Sequence, residues 1–139
     1  MSSPGERCMI QAEELCKTYS TGLLEVQVLR DVNLTIYGGE FVAVMGPSGS
    51  GKSTLLYLMG GLDKPTSGRI FVDGQDLSEM NDLAGSILRR RNVGFVFQFY
   101  NLIPNLTVEE NILLPLLLDG KKAKAAHGVL EELLDTVEI

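Results

Sequence analysis

Residues Gly46 to Thr54 read Gly-Pro-Ser-Gly-Ser-Gly-Lys-Ser-Thr. This is a full match to the P-loop pattern, a glycine, four residues, then Gly-Lys-Ser. No other stretch constrains the fold as tightly, because such a loop must join the end of a strand to the start of a helix. The flanks fit. Phe41-Val-Ala-Val-Met45 is a short apolar run suited to a buried parallel strand, and Ser53 to Leu62 reads as an apolar helix start. Gly46, Gly49 and Gly51 let the backbone curl, so that successive N–H groups from Ser48 to Thr54 and the positive end of the helix face an anionic phosphate chain. Lys52 is placed to reach the outer phosphates as a point charge, and the Ser53 hydroxyl to ligate a Mg²⁺ that bridges them. A nucleotide triphosphate is the ligand this pattern implies. The competing reading is a glycine-rich turn with no ligand, but at average residue frequencies the pattern arises in well under ~1% of chains of this length.

The 139 residues predict one domain, and a hydrophobic content of 45% suffices for an ordinary core. A net charge of −6 argues against nucleic acid, whose backbone calls for a concentrated basic surface. The one basic cluster, Arg89-Arg90-Arg91, follows the apolar stretch Leu83–Leu88 and reads as cations at a helix C-terminus. The longest apolar run, Ile112–Leu118, has seven residues and contains Pro115, far short of the ~18 needed to span a bilayer. No direct membrane span is expected. Residues 1–8 read as a flexible N-terminus without a signal core. Cys8 and Cys16 lack metal-ligand spacing and read as free thiols in a reducing compartment.

Met9–Leu15 and Val26–Ile36 have strand character, the second through the alternation of Val32, Leu34 and Ile36 with Asn33 and Thr35. Gly38-Gly39 turns the chain toward the P-loop strand. Asp63–Gly68 is a turn, Arg69–Val72 a short strand that ends in the turn pair Asp73-Gly74, and Asp82–Arg91 a helix. Asn92–Phe97 reads as an apolar return strand, Gln98–Asn105 as a loop. Thr107-Val-Glu-Glu110 matches a capping box, which starts a helix through Leu118 that bends near Pro115 and ends at Gly120. Ala123–Val137 is a second amphipathic helix, with His127 on a solvated face.

Tyr19, the loop Gly46–Thr54, the run Gly60-Gly-Leu-Asp-Lys-Pro-Thr-Ser-Gly68, and Val93-Gly-Phe-Val-Phe-Gln98 with Asn101-Leu-Ile-Pro104 together resemble the nucleotide-binding subunits of ABC transporters. They are most similar to the lipoprotein-release and macrolide-export branch, and the resemblance covers nearly everything from Met9 to Ile139. It implies an α/β fold: a P-loop NTPase core with an N-terminal antiparallel β layer, followed by the start of a helical subdomain. Residues 9–139 would form a partial nucleotide-binding domain, with 98–139 its glutamine loop and the start of that subdomain. The resemblance further implies that ATP and Mg²⁺ are bound by Tyr19, Ser48, Gly49, Ser50, Gly51, Lys52, Ser53, Thr54 and Gln98. Tyr19 would stack on adenine, and Ser53 and Gln98 would touch the metal. It also implies a homodimer for a complete subunit, a membrane permease as partner near Gln98–Thr107, and a cytoplasmic location peripheral to the inner face of the cell membrane.

The same resemblance leaves gaps. There is no Leu-Ser-Gly-Gly-Gln signature, no apolar run that leads into Asp-Glu, and no switch histidine. Asp73, Asp119 and Asp135 each follow apolar residues, but none is followed by Glu, and the first two precede glycine. No catalytic residue is identified, and the chain looks truncated, with exposed apolar surface expected. A nucleotide-binding module without turnover and a small P-loop kinase remain alternatives.

Overall fold

The computed structural model describes residues 7–121 and 123–137, without the side chains of Ala123–His127. The predicted surface position of His127 therefore lies outside the described side chains. The chain divides into two compact units, Met1–Arg89 and Arg90–Ile139.

The first unit is built on an antiparallel sheet of order β2-β1-β3-β4. β1 (Cys8–Thr21) and β2 (Leu24–Tyr37) are each 14 residues long and pair from Cys8↔Tyr37 to Thr21↔Leu24 around a turn at Gly22-Leu23. β1 runs well past its predicted end at Leu15, because pairing with β2 carries the ladder through a stretch whose alternation is weak, whereas β2 keeps close to its predicted bounds of Val26 and Ile36. β3 (Ser67–Val72) pairs with β1, and β4 (Gln75–Asp76) closes a hairpin across Asp73 and Gly74. Those two residues have φ of 50° and 76°, the pair of positive values that a tight two-residue hairpin needs. The Asp73 carboxylate thus sits in a turn, as its sequence context predicts.

α1 (Lys52–Met59) lies against this sheet and contributes Leu58, which is fully buried together with Leu15 of β1 and Ile70 of β3. Ala12, Leu29, Val72 and Leu77 complete the buried set around them. α2 (Asp82–Asn92) buries Leu88, and Arg89 at its end donates to the Gly61 carbonyl at 2.6 Å.

Two expected strands are absent. Neither Phe41–Met45 nor 93–97 joins a ladder among the described residues, and Asn92 is the last residue of α2. Phe41 and Val96 are almost wholly exposed, at 98% and 102%. An apolar run supplies the hydrophobicity of a buried strand, but only a partner's N–H and C=O groups make it one. The 139-residue chain should therefore bind anilinonaphthalene sulfonate strongly while still showing native secondary structure; a cooperative melt without dye enhancement would contradict this exposure.

In the second unit, α3 (Val108–Leu118) starts with the predicted capping box. The Glu110 N–H donates to the Thr107 Oγ1 at 3.2 Å and the Thr107 N–H donates to the Glu110 carboxylate at 2.7 Å. Asn111 fastens the preceding loop, its Nδ2 donating to the carbonyls of Ile103, Leu106 and Thr107. Leu113 of α3 and Leu130 of α4 (Ala123–Thr136) form the small core of this unit, with Ile112, Leu116 and Leu134 packed against it. Asp119, at the end of α3, pairs with Arg90 and Arg91, and Arg90 also donates to the Leu118 carbonyl. The Arg91 guanidinium holds the Asp119 carboxyl below the usual carboxylate range. The arginine cluster is thus occupied in holding backbone and carboxylate groups at the end of α2.

Candidate functional site

The P-loop wraps the N-terminus of α1. Gly51 is the N-cap, at φ 89°, and no side chain caps the helix. The first amides of a helix have no intrahelical acceptor, so an uncapped end presents donors and the positive pole of the helix dipole together. A Cβ at Gly51 would lie 3.0 Å from Leu29 Cδ2 and 3.1 Å from the Val28 carbonyl, so β2 presses on the loop where only glycine fits. Val28 and Gly49–Thr54 line a cavity of about 290 Å³ at this point.

Lys52 closes over the loop from the first turn of the helix. Its Nζ donates to the carbonyls of Gly46 at 2.9 Å and Pro47 at 2.7 Å, and lies 3.5 Å from Ser50 Oγ. The ammonium charge is thereby held at the loop mouth beside the uncapped helix end. Ser48, Gly49, Ser50 and Ser53 are exposed there, and Thr54 is half-buried. Gln98 belongs to the second unit, where it is exposed at a bend after the stacked rings of Phe95 and Phe97.

Tyr19 lies on β1 opposite Val26 and is 39% exposed. Its hydroxyl donates to Asp63 Oδ2 at 2.8 Å, and the Lys17 ammonium sits over the ring, 4.8 Å from its centroid. Lys17 and Asp63 are functional candidates that residue patterns did not single out. A signal existed for Lys17: it shares the β1 face of Leu15 two residues earlier and is as buried as that face requires. Its Nζ donates to Asp63 Oδ1 at 2.7 Å and to the Lys64 carbonyl at 2.6 Å.

Burial raises the Asp63 pKa, but the hydrogen bonds from Lys17, Tyr19 and the Lys64 amide outweigh it and hold the carboxyl below its ordinary value. A carboxyl with a depressed folded pKa adds stability that is complete above its unfolded value, ~3.9, and is lost as pH falls through the lower folded value. The stability difference between wild type and Asp63→Asn should therefore be constant from pH 8 to about 5 and shrink below about 4. Urea titrations across that range test it; a difference that grows on acidification would reverse the sign.

A family model described as ABC transporter matches residues 29–139. The chain belongs to the ABC transporter family. It is 44% identical over 129 residues to the lipoprotein-releasing system ATP-binding protein LolD of Xanthomonas oryzae pv. oryzae, which covers 93% of this chain and 53% of that protein. It is 47% identical over 131 residues to the macrolide export ATP-binding/permease protein MacB of Brucella abortus, which covers 94% of this chain and 20% of that one. Among solved structures, the ATP-binding cassette MJ0796 in a dimeric post-hydrolysis state with ADP and Pi superposes with a TM-score of 0.86 at 41% identity, over 94% of this chain and 58% of that one. A second dimeric structure of the same cassette gives 0.86 at 42% identity. This ABC-family chain thus has the α/β cassette fold that its motif order implied. It spans about half the length of the LolD proteins it matches. No helix among the described residues is long and apolar enough to cross a membrane.

Proposed function

We propose that this chain is the ATP-gripping part of an ABC transporter's ATP-binding component, in which it holds Mg·ATP and energises transport through a membrane permease. The observation that carries this is the Lys52 ammonium, folded over the Gly46–Pro47 carbonyls beside an uncapped helix end. A triphosphate offers oxygens for both the ammonium and the free amides.

The loop amides from Ser48 to Thr54 would hold the β-phosphate, Lys52 the outer phosphates, and Tyr19 the adenine. Mg²⁺ keeps several waters and needs only one or two protein oxygens when it shares phosphate ligands. That fits a chain in which the described residues contain no group of three His, Cys, Asp or Glu able to hold a metal alone. The exposed Ser53 hydroxyl and the Gln98 amide oxygen are the donors suited to it. When bound, the metal would neutralise charge on the outer phosphates. In a longer protein, a second copy facing the P-loop, a permease near Gln98–Thr107 and a position at the inner face of the cell membrane complete the reading.

The chain's own sequence has no adjacent Asp-Glu pair after an apolar run, so this chain should bind without turning over. A calorimetric titration with Mg·ATP, followed by a phosphate-release assay on the same sample, tests both halves. Saturable binding with no steady release is the expected result. Steady release would point to another water-activating group, and phosphate transferred to an added acceptor would favour a kinase.

A further inference from the structure

The Tyr19 ring has few ways left to move. Asp63 accepts from three donors: Lys17 Nζ and the Lys64 N–H on Oδ1, both at 2.7 Å, and the Tyr19 hydroxyl on Oδ2 at 2.8 Å. Lys17, whose side chain is only 11% exposed, is itself fixed by the Lys64 carbonyl at 2.6 Å and covers the Tyr19 ring. Beyond Asp63, the turn is stitched to β1: the Thr66 N–H donates to the Cys16 carbonyl and the Thr18 N–H to Thr66 Oγ1, both at 2.9 Å. The ring is thus pinned at its hydroxyl end by a carboxylate and on one face by a cation.

We propose that Asp63 is a positioning residue for base recognition: by joining Lys17 to Tyr19 it holds the tyrosine ring at a fixed angle to the P-loop, so that the nucleotide base stacks on the ring face opposite Lys17. This deepens the ATP-binding reading above and rests on it. The Tyr19 O–H is committed to Asp63, so the ring offers the base a face and no hydrogen-bond donor. Stacking depends on the ring plane being set in advance, since a ring free to turn about χ1 loses orientation entropy on binding. The Lys17 cation attracts that ring face and blocks it, which leaves a single side for the ligand.

The test compares Mg·ATP with Mg·tripolyphosphate, which has the phosphate chain and no base, by calorimetry on the full chain. Asp63→Ala should weaken ATP binding about 5- to 20-fold, part of what one stacked base contributes, and leave tripolyphosphate within twofold. Tyr19→Phe keeps the ring and the Asp63–Lys17 turn, and removes only the hydroxyl. It should show the same selective loss, and the double variant should be no worse than either single one. Tyr19→Phe also decides the matter if Asp63→Ala fails to fold. Equal losses for both ligands, or no loss for ATP in Tyr19→Phe, would overturn the positioning role while leaving the P-loop reading intact. If the wild type binds tripolyphosphate but gains nothing from the base, stacking itself is wrong; if it binds neither ligand, the ATP-binding reading falls with it.

Discussion

Lys52→Ala should weaken Mg·ATP binding at least about a hundredfold. The ammonium is the one cation held in the loop, and it lies 2.7 to 2.9 Å from two loop carbonyls that it bridges in the free chain. A charge-assisted hydrogen bond contributes about 1.5 to 3 kcal/mol, and two unit charges 4 Å apart near a protein surface interact by about 4 kcal/mol. A loss of ~2.7 kcal/mol, a hundredfold, is therefore a modest expectation. The variant also removes the brace across Gly46 and Pro47, which lets the loop relax and adds to the loss. Arg69→Ala makes the same change in net charge on the exposed side of β3, where Arg69 faces Asp76 and Glu79 at 3.9 Å. It should leave binding within about twofold, because exposed pairs of this kind contribute little. Calorimetric titration of the two variants side by side separates the loop's own lysine from general electrostatics. Comparable binding by wild type and Lys52→Ala would remove the loop from the site.

The second large effect falls on stability. Gly68, at φ 79°, faces the irregular stretch of β1 where the register to β3 shifts between Glu13 and Cys16. A Cβ there would sit 2.2 Å from the Glu14 carbonyl oxygen and 2.5 Å from its carbon. Both are backbone atoms on a strand that is paired on its two sides, so neither can swing away. Gly68→Ala should cost at least about 3 kcal/mol: ~1 for the left-handed conformation and ~2 or more for the displaced strand. The damage reaches the core, because Leu15 and Ile70 lie within two residues of this contact and are fully buried. Gly74→Ala is the internal comparison. It has a similar φ, 76°, but nothing within 4 Å of the added carbon, so only the conformational cost of ~1 kcal/mol applies. Urea denaturation of the three proteins should rank wild type above Gly74→Ala and well above Gly68→Ala. Equal midpoints for the two variants would show that β1 yields.

Much of this architecture is written in short stretches of sequence. The Thr107–Glu110 box, the Asp73-Gly74 hairpin and the helix after Gly51 are each closed by hydrogen bonds or backbone angles spanning a few residues. Residue type therefore decides them. Phe41–Met45 and Asn92–Phe97 show the limit. Their apolar runs are as clear as any in the chain, yet neither pairs among the described residues, because hydrophobicity does not supply a hydrogen-bonding partner.

The candidate site divides along the same line. The glycines, Lys52 and Ser53 are legible as a phosphate loop because the chemistry needs them at fixed spacing within nine consecutive residues. That spacing by itself determined the triphosphate reading, and the order of the other motifs determined the family. Asp63 lies 44 residues from Tyr19 and 46 from Lys17. No local pattern relates positions that far apart; only the pairing of β1 with β3 and the turn before it brings them within hydrogen-bond range. The sequence alone therefore carried the phosphate-loop reading. The tertiary structure decided what braces Tyr19, since its hydroxyl and the Lys17 ammonium of the same strand meet on a carboxylate delivered by the turn before β3.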